Sequence, residues 1–405
     1  MIQKNNMTIT CWCGNTDLKP FSEDYMQCTK CHTVISRQTP SHHINRISDD
    51  RLDFYSKKYW FSHQENMGMP NLLCRARSDL PERCIYWMNT LLNYRLPPSR
   101  VLEVGCAHGG FVALLQWAGF DATGLELSPW VVDFAGKAFS IPVLLGPLED
   151  QDIEKNSLDV IVLMDVIEHL SDPVTTIAHC LSLLKPEGIL LIQTPCVPDN
   201  RTYEQMMEAE SSFMSHFKND EHLHLFSKQG IKEFFVKLGV AAIAFEEAIF
   251  SHYDMFFVVS KRPFITHTPE EREQALMATP GGRLILAMLD LQDACYSLKA
   301  KYDKADSDRT ARFEQINELS KLLKDSEEDR AARLSQTDEL SKLLRDSETD
   351  RDARLKQINE LSKLLKDSEA DRESRLQQIN ELNIKIEKIE SGNIYALLKK
   401  IRLIK

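Results

Sequence analysis

The sequence predicts an α/β protein: a doubly wound seven-stranded sheet with a small N-terminal zinc-binding head and a C-terminal coiled coil. Three observations lead to this prediction. Between about residues 99 and 273, short apolar runs alternate with helical patterns, as in a parallel sheet covered on both faces. Four cysteines cluster within the first 40 residues, and the segment ELSKLLKDSE returns with a 21-residue period from residue 318 onward.

Composition divides the chain into six expected segments. They are a zinc-binding head (1–40), a helical lead-in or cap (41–98), the α/β body (99–273), a helical linker (274–305), a coiled coil with 21-residue repeats (306–390) and a basic amphipathic helix (391–405).

Charge and cysteine usage limit the classes of partner and compartment. The 405-residue chain has a formal net charge of -11, so a large sequence-independent nucleic-acid surface is not expected, and neither is a nucleic-acid partner. No apolar leader opens the chain, no run of 18 apolar residues occurs, and the ten cysteines do not follow the pattern of a secreted disulfide framework. The expected location is the reducing cytoplasm.

The body is expected to hold seven strands. The first five, each followed by a helical pattern, are VLEVGC (101–106), DATGLEL (121–127), PVLLG (142–146), DVIVLMD (159–165) and GILLIQT (188–194). Two more, AAIAFEEAIF (241–250) and DMFFVVSK (254–261), lie together with no helix between them. Five βα units that end in an antiparallel hairpin make one doubly wound sheet.

The loop after the first strand and the end of the second strand point to a nucleoside ligand. Ligands of such sheets bind at the carboxyl ends of the strands, and Gly105 and Gly109 let the backbone approach one closely. About 20 residues further on, Glu126 can hold two vicinal ribose hydroxyls. The loop reads E-x-G-x-A-x-G-G, which lacks the G-x-G-x-x-G of a dinucleotide site.

From about Val101 to Lys261, the body resembles the class I, Rossmann-like S-adenosylmethionine-dependent methyltransferases, in particular sugar methyltransferases with an N-terminal cysteine motif. The segments that carry the likeness, in family order, are VLEVGCAHGG, GLELS, GPLED, LDVIVLMDVIEHLSDP, LKPEGILLIQTP, EHLHLFS and the final hairpin. The resemblance implies methyl transfer to a saccharide, first of all O-methylation of a bacterial cell-surface glycan such as O-antigen. The alternatives are C-methylation of a nucleotide-linked deoxysugar, and a scaffold for glycan assembly whose enzyme domain is vestigial.

The resemblance also implies which residues bind S-adenosylmethionine. They are Glu103, Gly105, Ala107 and Gly109 around the methionine part, Glu126 on the ribose, Leu127, Leu148 and Glu149 beside the adenine, and Met164 and Asp165 closing the pocket. The family usually has glycine at the position of Ala107. A methyl group is tolerated there if the φ angle of this residue is negative.

Three histidines are the candidate catalytic residues, because a sugar hydroxyl needs a base to take its proton and histidine titrates near neutral pH. They are His169, in the EHL turn after the fourth strand, and His222 and His224 in EHLHLF. In an extended segment the last two rings share one face. For His169, a packing role within its own loop stays open. A catalytic metal on these histidines and Glu221 is not expected.

The cysteine head carries C-x-C and C-x-x-C, formed by Cys11, Cys13, Cys28 and Cys31. Four thiolates suit a tetrahedral structural zinc ion, and a head of about 40 residues needs such a staple to fold. His32 is an alternative ligand, and free structural cysteines are the alternative reading. By resemblance, the head helps to form the acceptor site.

The 21-residue repeats span three heptads, so every copy keeps the same face in the same place. With Leu323 at position a, only about half of the a and d positions, which form the seam of a coiled coil, are apolar. Arginines occupy some of the others. A homo-oligomeric coiled coil is predicted, and a single solvated helix or a recent duplication are the alternatives. A continuous helix over the repeats would be about 130 Å long.

The end of the chain, GNIYALLKKIRLIK (392–405), combines an apolar stripe with basic residues. Such a helix either makes peripheral contact with the inner face of the cytoplasmic membrane or caps the coil. In architecture, the whole chain resembles bacterial O-antigen chain-terminating methyltransferases. That likeness implies a glycosyltransferase partner for the coil, with the repeats setting the distance between the enzyme and its partner.

Overall fold

The computed structural model describes residues 9–38, 56–57, 60, 70–199, 201–336 and 344–391. The chain forms two compact units, Met1–Leu289 and Asp290–Lys405. The predicted basic helix at the end of the chain lies almost wholly outside the described residues.

Eleven strands are described. They are β1 (Leu18–Pro20), β2 (Tyr25–Cys28), β3 (Val34–Ser36), β4 (Arg100–Val104), β5 (Asp121–Glu126), β6 (Val143–Leu145), β7 (Leu158–Met164), β8 (Leu184–Pro195), β9 (His224–Leu225), β10 (Ala242–Glu246) and β11 (Asp254–Ser260).

Ten α-helices lie within the described residues. They are α1 (Leu72–Ser78), α2 (Ile85–Tyr94), α3 (Gly110–Ala118), α4 (Pro129–Phe139), α5 (Pro173–Leu183), α6 (Tyr203–Glu208), α7 (Lys228–Lys237), α8 (Pro269–Met277), α9 (Pro280–Gln336) and α10 (Leu344–Ser391). One turn of π-helix, Leu80–Cys84, lies between α1 and α2.

The main sheet has seven strands in the order β10, β11, β8, β7, β4, β5, β6. The strands from β8 to β6 pair in parallel, whereas β11 pairs antiparallel with both β8 and β10. The predicted doubly wound seven-stranded sheet with a closing hairpin is confirmed, but β6 is followed by a three-residue 3-10 helix, Leu148–Asp150, and not by the expected α-helix. From β4 the chain adds β5 and β6 on one side and then crosses to β7 on the other side of β4. At this reversal a crevice opens at the carboxyl ends of the strands.

Both faces of the main sheet are buried, as the apolar strands predict. In β7, Val160 and Val162 belong to the core on one face, while Ile161 and Leu163 belong to the core on the other. The first core includes side chains of α2 and α3, and the second includes side chains of α5 and α7. A strand that is buried on both sides reads as a continuous apolar run because neither face needs polar residues.

A second sheet joins the cysteine head to the body. Its strand order is β1, β2, β3, β9, and β9 comes from the EHLHLF segment of the body. Val34 is paired with Leu225 and Ile35 with His224. The head and the histidine segment are therefore one piece of structure, a long-range pairing that no local pattern predicts.

In the second unit, the predicted continuous rod is instead a pair of helices. Arg312 of α9 lies 2.7 Å from Asp371 of α10, and Arg375 bonds Asp308. Residues as far apart in sequence as Asp308 and Arg375 would be about 100 Å apart in one straight helix. The two helices therefore run antiparallel, side by side. A heptad pattern fixes which face is inward but not the direction of the partner, so the sequence could not exclude this fold-back.

None of the helices in the described ranges is long and apolar enough to cross a membrane.

Candidate functional site

A cavity of about 540 Å³ lies at the carboxyl ends of β4, β5 and β7. Almost all of the predicted cofactor-binding residues line it. They are Glu103, Gly105, Ala107, Glu126, Leu127, Leu148, Glu149, Met164 and Asp165. The exception is Gly109, which directly precedes α3 and has a φ angle of 78°. A Cβ at this position would collide with Ile141 and Ala135. The lead-in also contributes side chains to this cavity, among them Arg75, Asp79 and Arg83.

Glu126 is held rigidly at the end of β5. Its Oε2 accepts a hydrogen bond from the backbone N–H of Ala107 (3.1 Å), and its Oε1 accepts from Leu127 (2.8 Å) and Ser128 (3.1 Å). Burial raises the pKa of Glu126, and the three N–H groups oppose that rise. A carboxylate has about four acceptor sites, and the three N–H groups take up three of them. The remaining site, on Oε2, can accept from a ligand hydroxyl without a change in the position of the carboxylate.

Glu103, at the base of the same loop, has an unsatisfied oxygen. Its Oε2 is buried and has no hydrogen-bond partner among the described residues, and the side chain lines the cavity. Burial raises the pKa of Glu103 well above its usual range. A buried polar atom without a partner costs about 1–3 kcal/mol, which a ligand donor such as an ammonium group would relieve. This oxygen fits the amino group of a bound S-adenosylmethionine.

The loop between Glu103 and α3 closes tightly over the cavity. Gly105 has a φ angle of 72°, and a Cβ there would lie 2.8 Å from Val166 Cγ2. Ala107 has a φ angle of 45°, so the condition under which a methyl group is tolerated there without strain is not met. Its N–H bond to Glu126 holds it in the left-handed region, which costs a residue with a Cβ about 1–2 kcal/mol.

A buried pair that the sequence analysis missed supports this loop. His108 Nε2 lies 3.1 Å from Asp79 Oδ2, and His108 Nδ1 accepts a hydrogen bond from the backbone N–H of Gly110 (3.0 Å). Because Nδ1 is an acceptor, Nε2 carries the proton and donates to Asp79. Burial lowers the pKa of His108, and Asp79 opposes that shift. The only local signal was a histidine inside a glycine loop.

A group of acidic residues surrounds Asp165, which lines the cavity. Asp165 lies 3.9 Å from Arg83 and accepts from Gln193 Nε2 (3.2 Å). Burial and the neighbouring Asp165 raise the pKa of Asp254 to about 8. Burial and the same neighbour raise the pKa of Glu168 well above its usual range. Arg83 opposes the rise in the pKa of Asp254.

The three predicted catalytic histidines occupy different places. His169 lines the cavity, whereas His222 and His224 do not; Leu223 between them does. The rings of His169 and His222 are 4.9 Å apart, and His224 Nδ1 donates to the carbonyl of Leu170 (3.1 Å). Burial lowers the pKa of His222 to about 2 and that of His224 to about 4. The catalytic roles of His222 and His224 stay predictions.

The predicted zinc ligands are brought together. Cys11 Sγ lies 3.4 Å from Cys31 Sγ, and Cys13 Sγ lies 3.6 Å from Cys28 Sγ. All four sulfurs are within 4.8 Å of one another. Tetrahedral Zn–S bonds of about 2.3 Å place sulfurs about 3.8 Å apart. The four thiols therefore fit a zinc ion, and His32 is exposed and outside this group.

Hydrogen bonds to the cysteine sulfurs favour the thiolate form that binds a metal. Cys28 Sγ accepts from Asn15 Nδ2 and from the backbone N–H of Lys30, both at 3.4 Å. The bond that Cys11 shares with Cys31 lowers the pKa of Cys31 to about 5 and raises that of Cys11. Such outer bonds orient ligands before a metal binds.

A second group has metal-binding donors. Atoms of Glu168, His169 and His222 lie within 4.8 Å of one another. His169 Nδ1 donates to the carbonyl of Glu221 (2.9 Å) and His222 Nδ1 to that of His216 (2.7 Å), which leaves Nε2 as the unprotonated nitrogen of each neutral ring. Two such imidazoles and a carboxylate can hold a divalent cation, although a metal site was not expected at these residues from the sequence.

Known proteins share sequence similarity with the part of the chain that forms this cavity. A family model described as "Methyltransferase domain" matches residues 76–244. A "Ubiquinone biosynthesis O-methyltransferase" of Xanthomonas campestris pv. campestris is 31% identical over 129 residues, which cover 29% of this chain and 54% of that protein. The chain thus spans about half the length of that curated relative. The protein of the same name from Actinobacillus pleuropneumoniae serotype 7 is 31% identical over 176 residues, 40% of this chain and 70% of that protein.

Among solved structures, Haemonchus contortus phosphoethanolamine N-methyltransferase 2 in complex with S-adenosyl-L-methionine is similar with a TM-score of 0.37 and 16% identity. The match covers 48% of this chain and 61% of that one.

Proposed function

The chain belongs to the class I S-adenosylmethionine-dependent methyltransferases, and we propose that it transfers the methyl group of that cofactor to a hydroxyl group of a saccharide, such as a bacterial cell-surface glycan. One observation supports the cofactor in this proposal. The carboxylate of Glu126 is fixed by three backbone N–H groups, and the orphaned Oε2 of Glu103 belongs to the same cavity. A nucleoside linked to an amino acid satisfies both.

The residues of this chain would divide the cofactor between them. Glu126 would accept from a ribose hydroxyl, Glu103 would accept from the amino group, and Leu148 would pack against the adenine. S-adenosylmethionine supplies an electrophilic methyl group on a positively charged sulfur. The carboxylates that line the cavity favour this charge over a neutral or anionic ligand.

Methyl transfer to a hydroxyl also needs a base close to the cofactor. His169 lines the cavity, and its Nδ1–H is bound to a backbone carbonyl, so Nε2 can accept a proton. Burial lowers the pKa of His169, which keeps the ring neutral at pH 7. His169 is thus the candidate base, and His222 supports its ring from outside the cavity.

Polar side chains that line the cavity support a saccharide acceptor. They are Arg83, Asp165, Ser171, Asp172 and Thr175, which can bond the hydroxyls of a sugar. A second candidate is an acceptor of ubiquinone biosynthesis, favoured by the names of the curated relatives. The saccharide proposal also includes a cytoplasmic location and a glycosyltransferase partner.

The decisive test offers the purified protein radiolabelled S-adenosylmethionine with O-antigen fragments, nucleotide-linked deoxysugars or a ubiquinone precursor. We expect label on an oxygen of the glycan, and a loss of turnover in His169→Asn without loss of cofactor binding. Label on a sugar carbon would show that the reaction is C-methylation and not O-methylation. Label only on the ubiquinone precursor, or binding of the cofactor without any turnover, would overturn the saccharide proposal.

A further inference from the structure

The paired helices of the second unit are matched through one repeated motif. Each 21-residue repeat contains D-R-x-x-R, and the copies start at residues 308, 329, 350 and 371. The first copy pairs with the fourth in both directions: Asp308 bonds Arg375, and Arg312 bonds Asp371. An aspartate and an arginine four residues apart are self-complementary when the motif meets another copy of itself running the opposite way.

Apolar layers alternate with these ionic layers along the helix pair. Ile316 and Leu323 of α9 are partly buried, as are Ile358 and Leu361 of α10. In the register set by the ion pairs, the apolar segment around Leu323 lies opposite the one around Leu361. A shift of the register by less than a full repeat would place arginine against leucine. The 21-residue period therefore restricts antiparallel pairing to a few registers.

The pair nonetheless leaves a line of large apolar side chains uncovered. Leu322 of α9 is 58% exposed, and Leu364 of α10 is 60% exposed. Each directly precedes a seam leucine, so every LSKLLKDSE or LSKLLRDSE segment presents three apolar positions rather than two. A two-stranded coil needs only the two seam positions, whereas a helix in a larger bundle uses three. In the register above, Leu322 lies opposite Leu361 and Leu364 opposite Leu319, so the line is continuous with the seam.

We propose that a second copy of this chain covers this line with its own α9 and α10, which gives an antiparallel four-helix bundle of two chains. A second copy presents the same apolar line at the same 21-residue spacing, so leucines meet leucines. Its charged D-R-x-x-R layers recur at the same intervals, so the leucines of one chain are not brought against the arginines of the other. A lipid surface or an unrelated apolar helix would match the leucines but not this 21-residue spacing.

The test is the mass of the full-length chain in solution, measured by light scattering and sedimentation. We expect about twice the chain mass of 46.5 kDa for the wild type. Leu322→Glu combined with Leu364→Glu places charges in the line and should give a monomer. The matched control is Lys321→Glu with Lys363→Glu, which alters neighbouring exposed positions and should remain a dimer.

Far-UV circular dichroism must show that the helices persist in the glutamate variant. If they do not, the milder pair Leu322→Ala and Leu364→Ala replaces it, and the dimer dissociation constant should rise by more than about tenfold. A monomeric wild type would overturn the proposal. So would a glutamate or alanine variant that dimerises as tightly as the wild type, or a control that dissociates as readily as the leucine variants.

Discussion

His108 Nε2 donates a hydrogen bond to Asp79 Oδ2 across 3.1 Å, and this bond joins the loop after β4 to the segment that precedes the sheet. Asp79 lies directly before the π-helix Leu80–Cys84, a rare element that is frequent at functional sites. Both residues line the cavity. The cap and the cofactor loop are therefore mechanically connected through one buried polar pair.

Breaking this connection should weaken cofactor binding without touching the reacting atoms. In Asp79→Ala, the buried His108 N–H loses its acceptor, which costs about 1–3 kcal/mol. We expect the KM for S-adenosylmethionine to rise by roughly tenfold while kcat changes little. Asp133→Ala, which removes an exposed carboxylate paired with Lys137, is the control and should behave as the wild type. Equal losses in kcat and in kcat/KM would show instead that Asp79 acts on the transition state.

Ala107→Gly should stabilise the protein. The φ angle of 45° suits glycine, which adopts it without steric cost, so we expect the free energy of unfolding to rise by about 1 kcal/mol. Denaturant unfolding measures this change. Ala113→Gly, within α3, is the matched control and should lower the same quantity by about 1 kcal/mol. A destabilised Ala107→Gly protein would show that the left-handed conformation carries no strain.

The cysteine group should bind one zinc ion per chain, as elemental analysis of the purified protein can measure. Removal of zinc by a chelator, or Cys28→Ser, should lower the melting temperature, because β9 of the body pairs with the head. Cys74→Ser changes an exposed cysteine outside the group and serves as the control. A metal-free protein with an unchanged melting temperature would show that the cysteines fold the head unaided.

Buried His224 should make stability depend on pH. Its pKa falls from 6.5 to about 4 because of burial, so the unfolded chain takes up a proton in this range and the folded chain does not. The stability that this residue contributes is therefore present above pH 6.5 and is lost as the pH falls towards 4. Relative to His224→Asn, the wild type should lose about 1.4 kcal/mol per pH unit in this window. Parallel pH profiles of the two proteins in urea unfolding would contradict this account.

The correct predictions are those that rest on local sequence. Apolar runs located the seven strands, and the end of the second body strand placed Glu126 beside the cavity, because strand period and strand-end position are both local properties. The cofactor-binding role of Glu126 stays a prediction. The missed features depend on residues far apart in sequence. Asp79 meets His108, and β3 meets β9, only after the chain has folded. The sign of the φ angle of Ala107 was left open, since an alanine does not by itself indicate the left-handed conformation that the usual glycine suggests.

The central claim is that the cavity at the ends of β4, β5 and β7 binds S-adenosylmethionine. Calorimetric titration of the zinc-loaded protein with the cofactor and with S-adenosylhomocysteine tests it most directly, alongside Glu126→Ala and the exposed control Glu154→Ala. We expect binding by the wild type and the control, and affinity lower by roughly tenfold to a hundredfold in Glu126→Ala, since hydrogen bonds to a charged group are lost. Absence of binding by the folded wild type, or unchanged affinity in Glu126→Ala, would contradict the claim.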